Sequence, residues 1–261
     1  MKDYHGSAEL ISTLKDGILT LKINRPHKRN ALNGETSAKM EEILNLAESD
    51  TEVRVIIVTG EGEKSFCAGE DLSELSESGE CQTITAHGFG GLTNRLSTKP
   101  IIAAVNGVAV GGGMEIALAC DIVIACEGAR FGLPEVKVGL IASTGGLVRM
   151  GRELPRKVAM QMCLTGELIN AQRAKEIGII NEVVSSESLI PRAVELAGVI
   201  AKNAPLSLKF TKQIIHQSGS MSLEDAMRLS DIAYRYIEKT EDGVEGPLAF
   251  MQKREPKWKG K

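Results

Sequence analysis

The run PIIAAVNGVAVGGGMEIALACDIVIAC, Pro100–Cys126, limits what this chain can fold into more than any other stretch. It contains the most apolar residues of the sequence, yet Asn106, Glu115, Asp121 and repeated glycines interrupt it, so it is not a membrane span. PIIAAVNGVAV reads as apolar strand, as expected where both faces of a sheet are covered. GGGMEIALACD reads as glycines followed by a buried helix, and DIVIAC begins another strand. Strand, helix and strand packed this tightly call for layered sheets with helices outside. Glu115 is the anomaly: it is the only charge before Asp121, in the first turn of a helix that is otherwise apolar.

The same grammar extends to both sides. LISTLKDGILTLKIN carries two alternating runs around Lys-Asp-Gly, the signature of a hairpin. RPHKRNALNGE follows as a basic loop. Met40, Ile43, Leu44 and Ala47 recur at helical spacing between Glu35 and Ser49. VRVIIVTG is a further buried strand, and KSFCAGEDL a short strand with a turn. Residues 10–180 therefore form one layered core. After GIINEVV the chain turns helical: SLIPRAVELAGVIAKN, PLSLKFTKQIIHQSG and SLEDAMRLSDIAYRYIEKT, where Ser222 and Asp225 form a capping box. A last helix runs through VEGPLAFMQKR before a polar basic tail. The apolar positions of these helices need covering by the core or by another subunit.

With 261 residues the chain can bury a sizeable core. A net charge of −3 gives no support for nucleic acid or a membrane surface as partner. The five cysteines form no CxxC pair, and the start MKDYHGSAEL has no apolar leader segment. They are expected to be free thiols in a cytoplasmic protein. The four histidines lack metal-ligand spacing, so no metal is expected.

GGGMEI lacks the third glycine of a dinucleotide loop, and the chain has neither a P-loop nor a GxSxG elbow. Taken alone, Glu115 would merely favour the positive end of a helix dipole, and Glu135 in FGLPEVKVGL would be an ordinary loop carboxylate. Taken together, three features suggest chemistry. FCAGEDL offers a tight turn with outward N–H groups, and GGGMEI offers free N–H groups at a helix start. Two such donors from different loops make an oxyanion hole. Glu115 and Glu135 could then flank the reacting atoms as acid and base.

NRPHKRNAL, SFCAGEDL, the block from Pro100 to Leu140, and GPLAFMQKREPKW resemble the enoyl-CoA hydratase/isomerase (crotonase) family, in the family's order over nearly the whole chain. The resemblance implies an α/β fold, the crotonase (ClpP-like) spiral of ββα repeats, over residues 1–200. It implies a C-terminal α-helical region over 201–261 that builds homotrimers, often paired into homohexamers. The implied substrate is an acyl-CoA thioester, so coenzyme A arrives as part of the substrate and no separate cofactor is expected. The thioester oxygen would be held by the backbone N–H groups of Glu70 and Gly112, and Glu115 and Glu135 match the two catalytic glutamates of family hydratases. The pair favours water addition over double-bond migration, which one carboxylate can manage. CoA phosphates would face Arg25, Lys28 or Arg29, although a solvated basic loop explains these side chains equally well. Backbone at Ala31 and Ala68 would read adenine and pantetheine, with Asp71 and Leu72 lining the same pocket.

Two positions depart from the family pattern. The first oxyanion position is usually small and here is Glu70, whose side chain would have to point away. GLIASTGG replaces a glycine-rich loop, with Ser143 where a backbone N–H helps seat the water. GGLTNRLSTKPIIAAVNG, GGLVRMGRELP and EDGVEGPLAFMQKREPKWKG are similar to carnitinyl-CoA dehydratases, which run the same chemistry on a trimethylammonium substrate. An isomerase, or an acyl-CoA-binding protein without chemistry, are the other expectations.

Overall fold

The computed structural model describes residues 4–73, 76 and 81–261. Strands β1 (Leu10–Lys15) and β2 (Ile18–Ile23) pair antiparallel, with Lys15 opposite Ile18. Asp16 and Gly17 between them both take positive φ, which matches the twist of a two-residue hairpin turn. Helix α1 (Gly34–Ser49) starts where the Asn33 side chain accepts the N–H of Thr36 at 2.8 Å, and it buries Met40, Ile43, Leu44 and Ala47 as their spacing predicts.

The core has two sheets that the chain visits alternately. The larger holds β1, β2, β3 (Val55–Gly60), β7 (Ile101–Val105), β9 (Ile122–Cys126) and β12 (Glu182–Val184), in that order. The smaller runs β11 (Ile169–Asn170), β10 (Arg130–Gly132), β8 (Val108–Val110), β4 (Ser65–Cys67). From β2 to β12 the larger sheet is parallel, as are β4, β8 and β10 in the smaller. The pairs β3–β4, β7–β8 and β9–β10 each give one strand to each sheet, so the chain winds as a spiral. Every residue of β3 and β7 is buried, which is why these segments read as unbroken apolar runs rather than alternating ones. A short hairpin of β5 (Ile84–Thr85) and β6 (Gly88–Phe89) sets the Phe89 ring against Gly112.

Helix α2 (Gly112–Ala119) follows β8 after a single residue, Gly111, at φ 56°. A Cβ on Gly113 would sit 2.0 Å from the carbonyl oxygen of Cys67, so only glycine lets α2 seat against the turn after β4. Helices α3 (Gly146–Glu153), α4 (Arg156–Thr165) and α5 (Ala171–Glu176) pack beside this frame, and α6 (Leu189–Ala201) lies across β3 and β7.

Three helices follow: α7 (Pro205–Ser218), α8 (Leu223–Ile237) and α9 (Glu241–Met251). Ser222 caps α8 as the sequence predicts. The last helix starts at Glu241 rather than Val244, because the Thr240 hydroxyl accepts the N–H of Gly243 at 3.0 Å. Lys212 of α7 reaches back to Asp121 at 2.7 Å and so ties this region to the start of β9. Ile215, Leu223, Ile232 and Phe250 remain well exposed on these helices. Among the described residues no helix is long and apolar enough to cross a membrane.

Candidate active site

The site is built where the turn after β4 meets the start of α2. Leu32 donates to the carbonyl of Gly69 at 2.8 Å, and Asp71 donates to the carbonyl of Leu32 at 2.8 Å. This parallel bridge pins Gly69 and Asp71 to the loop before α1 and leaves the N–H of Glu70, between them, directed to the other side. Gly112 opens α2, so its N–H has no acceptor within the helix. A Cβ on Gly69 would lie 3.2 Å from the nitrogen of Gly112, so the two turns touch backbone to backbone. Two N–H donors from separate turns are thereby held side by side, together with the positive end of α2.

Glu115 lies in the first turn of α2 and is 4% exposed. Its carboxylate is saturated: Oε1 accepts the backbone N–H groups of Thr144 and Gly146, each at 2.8 Å, and Oε2 accepts the Thr144 hydroxyl. The loop entering α3 thus wraps the carboxylate. A Cβ on Gly146 would stand 3.0 Å from Oε1, which explains glycine there.

Glu135 comes from the 3-10 turn Glu135–Val138 after β10. Its Oε1 lies 3.4 Å from where a Cβ on Gly111 would be, so the carboxylate faces the turn that carries the Gly112 donor. Its Oε2 is buried without a hydrogen-bond partner. Burial pushes its carboxyl above the ordinary carboxylate range; its own backbone N–H opposes this, and the charge of Glu115 adds a smaller upward push. The fold therefore brings together Glu70, Gly112, Glu115 and Glu135, which lie far apart in the sequence.

The Glu70 side chain does turn aside. Its Oε1 accepts the hydroxyl of fully buried Thr83 at 3.1 Å, near the Cys81 thiol. Ser143 is exposed, and the N–H groups that reach Glu115 are those of Thr144 and Gly146 instead. Arg25, expected to face phosphate, turns inward. It is 5% exposed and bonds the Ala31 carbonyl at 2.5 Å and Asp71 at 3.0 Å, with Glu9 also at 3.0 Å. The cation is consumed in bracing the loop against the turn that carries Glu70. Asp71 shares this brace: burial opposes its ionisation, but the Ser73 hydroxyl and Arg25 outweigh it and hold its carboxyl down at about 2. Lys28 and Arg29 stay exposed, with Lys28 donating to Ser73 at 2.9 Å. The N–H of Ala68 donates to the Arg29 carbonyl, and Leu72 is half exposed at the rim.

Sequence reasoning missed two residues. Thr144 was passed over beside Ser143, although a hydroxyl beside a glycine pair was the available signal. Arg149 gave no signal within GGLVRM. Its guanidinium donates to the Thr93 carbonyl at 2.6 Å and passes over Gly145, where a Cβ would be 2.0 Å from Nη1. Burial lowers its pKa, partly offset by the negative charges of Glu153 and Glu115. Among the described residues no group of three or more His, Cys, Asp or Glu could hold a metal ion.

Comparison with known proteins agrees with this architecture. The family model described as Enoyl-CoA hydratase/isomerase matches residues 13–261. A protein of Proteus mirabilis named carnitinyl-CoA dehydratase is 41% identical over 98% of this chain and 100% of its own length. The crystal structure of an enoyl-CoA hydratase from Mycobacterium tuberculosis superposes with a TM-score of 0.93 at 36% identity, covering 98% of this chain and all of that one. A carnitinyl-CoA hydratase from Mycobacterium avium is 42% identical with a TM-score of 0.78, over 98% of this chain and all of its own. The chain belongs to the enoyl-CoA hydratase/isomerase family, with the crotonase fold, and is an enzyme of hydration or isomerisation chemistry on acyl-CoA thioesters.

Proposed function

We propose that this member of the family is a hydro-lyase that adds water to, and removes it from, the 2,3 double bond of a 2-enoyl-CoA. The observation that carries this reading is the contrast at the two glutamates. Glu115 is saturated by hydrogen bonds, and Glu135 has a buried oxygen with none. A carboxyl that burial makes hard to ionise, beside a carboxylate held by three hydrogen-bond donors, is the arrangement acid–base chemistry needs. In hydration Glu135 delivers a proton to C2 while Glu115 helps take one from the water. Dehydration reverses both transfers.

Charge develops on the thioester oxygen as the enolate forms. The N–H groups of Glu70 and Gly112 would hold it, and losing one such donor typically costs about 3–4 kcal/mol. A double-bond migration needs one carboxylate, so the second supports water as the reactant. The 41% identity to a named carnitinyl-CoA dehydratase favours an acyl group with a trimethylammonium head over a plain chain. The exposed Ile215, Leu223, Ile232 and Phe250 support self-association into a homotrimer or a pair of trimers, which light scattering on the purified protein would measure.

The test is loss of the conjugated-thioester absorbance when folded protein meets crotonobetainyl-CoA or crotonyl-CoA. Turnover of either supports the reading, and turnover of neither overturns it.

A further inference from the structure

The loop that holds Glu115 has a brace on its outer side. Thr144 and Gly146, whose N–H groups bond Oε1, flank Gly145, which takes the left-handed φ of 110°. Arg149 stands one helical turn on, in α3, and its own N–H donates to the Gly145 carbonyl at 2.9 Å. Its side chain then folds back over the turn. A Cβ on Gly145 would lie 2.0 Å from Nη1 and 3.2 Å from Cζ, so the flat guanidinium fills the space that any side chain there would need.

The far end of the same guanidinium is anchored on a different wall. Nη2 donates to the carbonyl of Thr93 at 2.6 Å. Thr93 is fully buried, its hydroxyl accepts the N–H of Phe89 at 2.8 Å, and a Cβ on Gly112 would be 2.5 Å from the Phe89 ring. One side chain therefore spans from the turn that orients the Glu115 carboxylate to the segment that packs on the Gly112 donor. A planar fork of donors can cover a glycine and bond a carbonyl at once, which a point charge cannot. The Thr93 end is held by its own bond to Phe89, and Gly112 by its contact with Gly69. Loss of Arg149 therefore releases the Gly145 end.

We propose that Arg149 is a positioning residue for the water step: by clamping the Gly145 turn to the Thr93 segment, it fixes the direction in which the Glu115 carboxylate faces the reacting carbons. The inference rests on the hydro-lyase reading above and adds a residue to that site. Glu115 hangs on hydrogen bonds from Thr144 and Gly146, so its carboxylate turns where that loop turns. A misplacement of about 1 Å at such a group costs roughly a hundredfold in rate. Glu135 comes from the turn after β10 and has no share in the clamp. The half of the reaction that needs Glu135 and the two N–H donors is therefore separable from the half that needs Glu115.

The experiment separates the halves by leaving group. In dehydration Glu135 takes the C2 proton, the C3–O bond breaks, and Glu115 supplies the proton that makes the leaving hydroxyl water. With chlorine at C3 Glu135 acts in the same way, the C3–Cl bond breaks, and chloride departs with the electron pair and needs no proton. The hydroxy thioester is 3-hydroxybutyryl-CoA or carnitinyl-CoA, whichever folded wild type dehydrates, and its counterpart carries chlorine at C3 of the same chain. Both reactions are read as gain of conjugated-thioester absorbance. Arg149→Met keeps a good helix former without the fork. It is expected to lower kcat for dehydration about thirtyfold, with KM within about threefold, and to leave chloride elimination within about threefold of wild type. Equal losses in both reactions, no loss in either, or a loss confined to chloride elimination overturns the proposal, as does a wild type that dehydrates but releases no chloride. Should Arg149→Met melt early, Arg149→Lys serves, since it keeps the charge but not the flat cover over Gly145. The same split is then expected at about tenfold, and equal losses or none overturn the proposal. If folded wild type dehydrates neither hydroxy thioester, the hydro-lyase reading fails and this inference with it. If wild type dehydrates one and the variant loses both reactions alike, that reading stands and only the role of Arg149 falls.

Discussion

The start of α2 and the 3-10 turn after β10 each present a glutamate to the same cleft, and they treat it in opposite ways. At the start of α2 the backbone was arranged around the carboxylate: two N–H groups and a hydroxyl converge on Glu115. At the 3-10 turn the residue's own backbone N–H favours the charge only partly, and Glu135 keeps a buried oxygen unbonded. Hydrogen bonds to a charged form stabilise it, and burial without them destabilises it. Identical side chains thus meet opposite surroundings, and burial raises the pKa of the one left with an unbonded oxygen. The difference also divides stability from function. Glu115 organises the loop into α3, whereas among the described residues the buried Oε2 of Glu135 bonds to no other group.

The largest expected effect tests the second half of that comparison. Glu135→Gln should lower kcat by about a thousandfold with little change in KM, since positioned proton transfer typically contributes roughly 10²–10⁴. A loss below tenfold in steady-state assays would break the assignment. Glu115→Gln should lose both activity, by about a hundredfold, and stability, by about 1–3 kcal/mol in denaturant melts, because an amide cannot accept all three donors. An unchanged melt would show that the loop into α3 does not depend on this carboxylate.

The pH profile comes next. Hydration and dehydration both need one proton on the pair, since the proton that leaves Glu135 is replaced by one arriving at Glu115. The two directions should therefore share one kcat/KM profile. Its basic limb should lie above the ordinary carboxylate pKa of about 4.3, where the raised Glu135 carboxyl finally ionises, and activity should fall tenfold per pH unit beyond it. A basic limb at or below the ordinary carboxylate pKa would contradict a raised Glu135 carboxyl.

The smallest effect is thermodynamic. A carboxyl whose pKa is raised on folding binds more protons in the native state, so stability falls as pH rises through the window between its unfolded and folded pKa values. Glu135→Gln lacks this loss. Its melting advantage over wild type should be small in acid and grow toward neutral pH to about 0.5–2 kcal/mol, the usual gain when a functional strain is removed. A variant less stable than wild type at pH 7 would mean that the charge has a partner.

Legibility followed burial. The strands β3 and β7 and the helix α2 could be read because residues covered on both faces must be apolar, whatever they pack against. Glu115 could be noticed because it broke such a run. The partners of Glu115 could not be read, because they are backbone N–H groups, which every residue has. Ser143 drew attention as the unusual side chain, while Thr144 and Gly146 make the bonds. Arg25 misled for the converse reason. A cation in a basic loop looks solvated until the fold places Glu9 and Asp71 beside it. Charge in a sequence has a sign but no partner.

The contact of Gly69 with Gly111 and Gly112 has a consequence for how such a protein diversifies. The gap between the two donors is set by main chain against main chain, like the jaws of a fixed-width gauge. Substitution cannot widen it gradually, because a carbon added at Gly69 already meets the nitrogen of Gly112 at 3.2 Å and one added at Gly112 runs into the Phe89 ring at 2.5 Å. New substrates must therefore be accommodated around a constant mouth, by side chains that stand beside it.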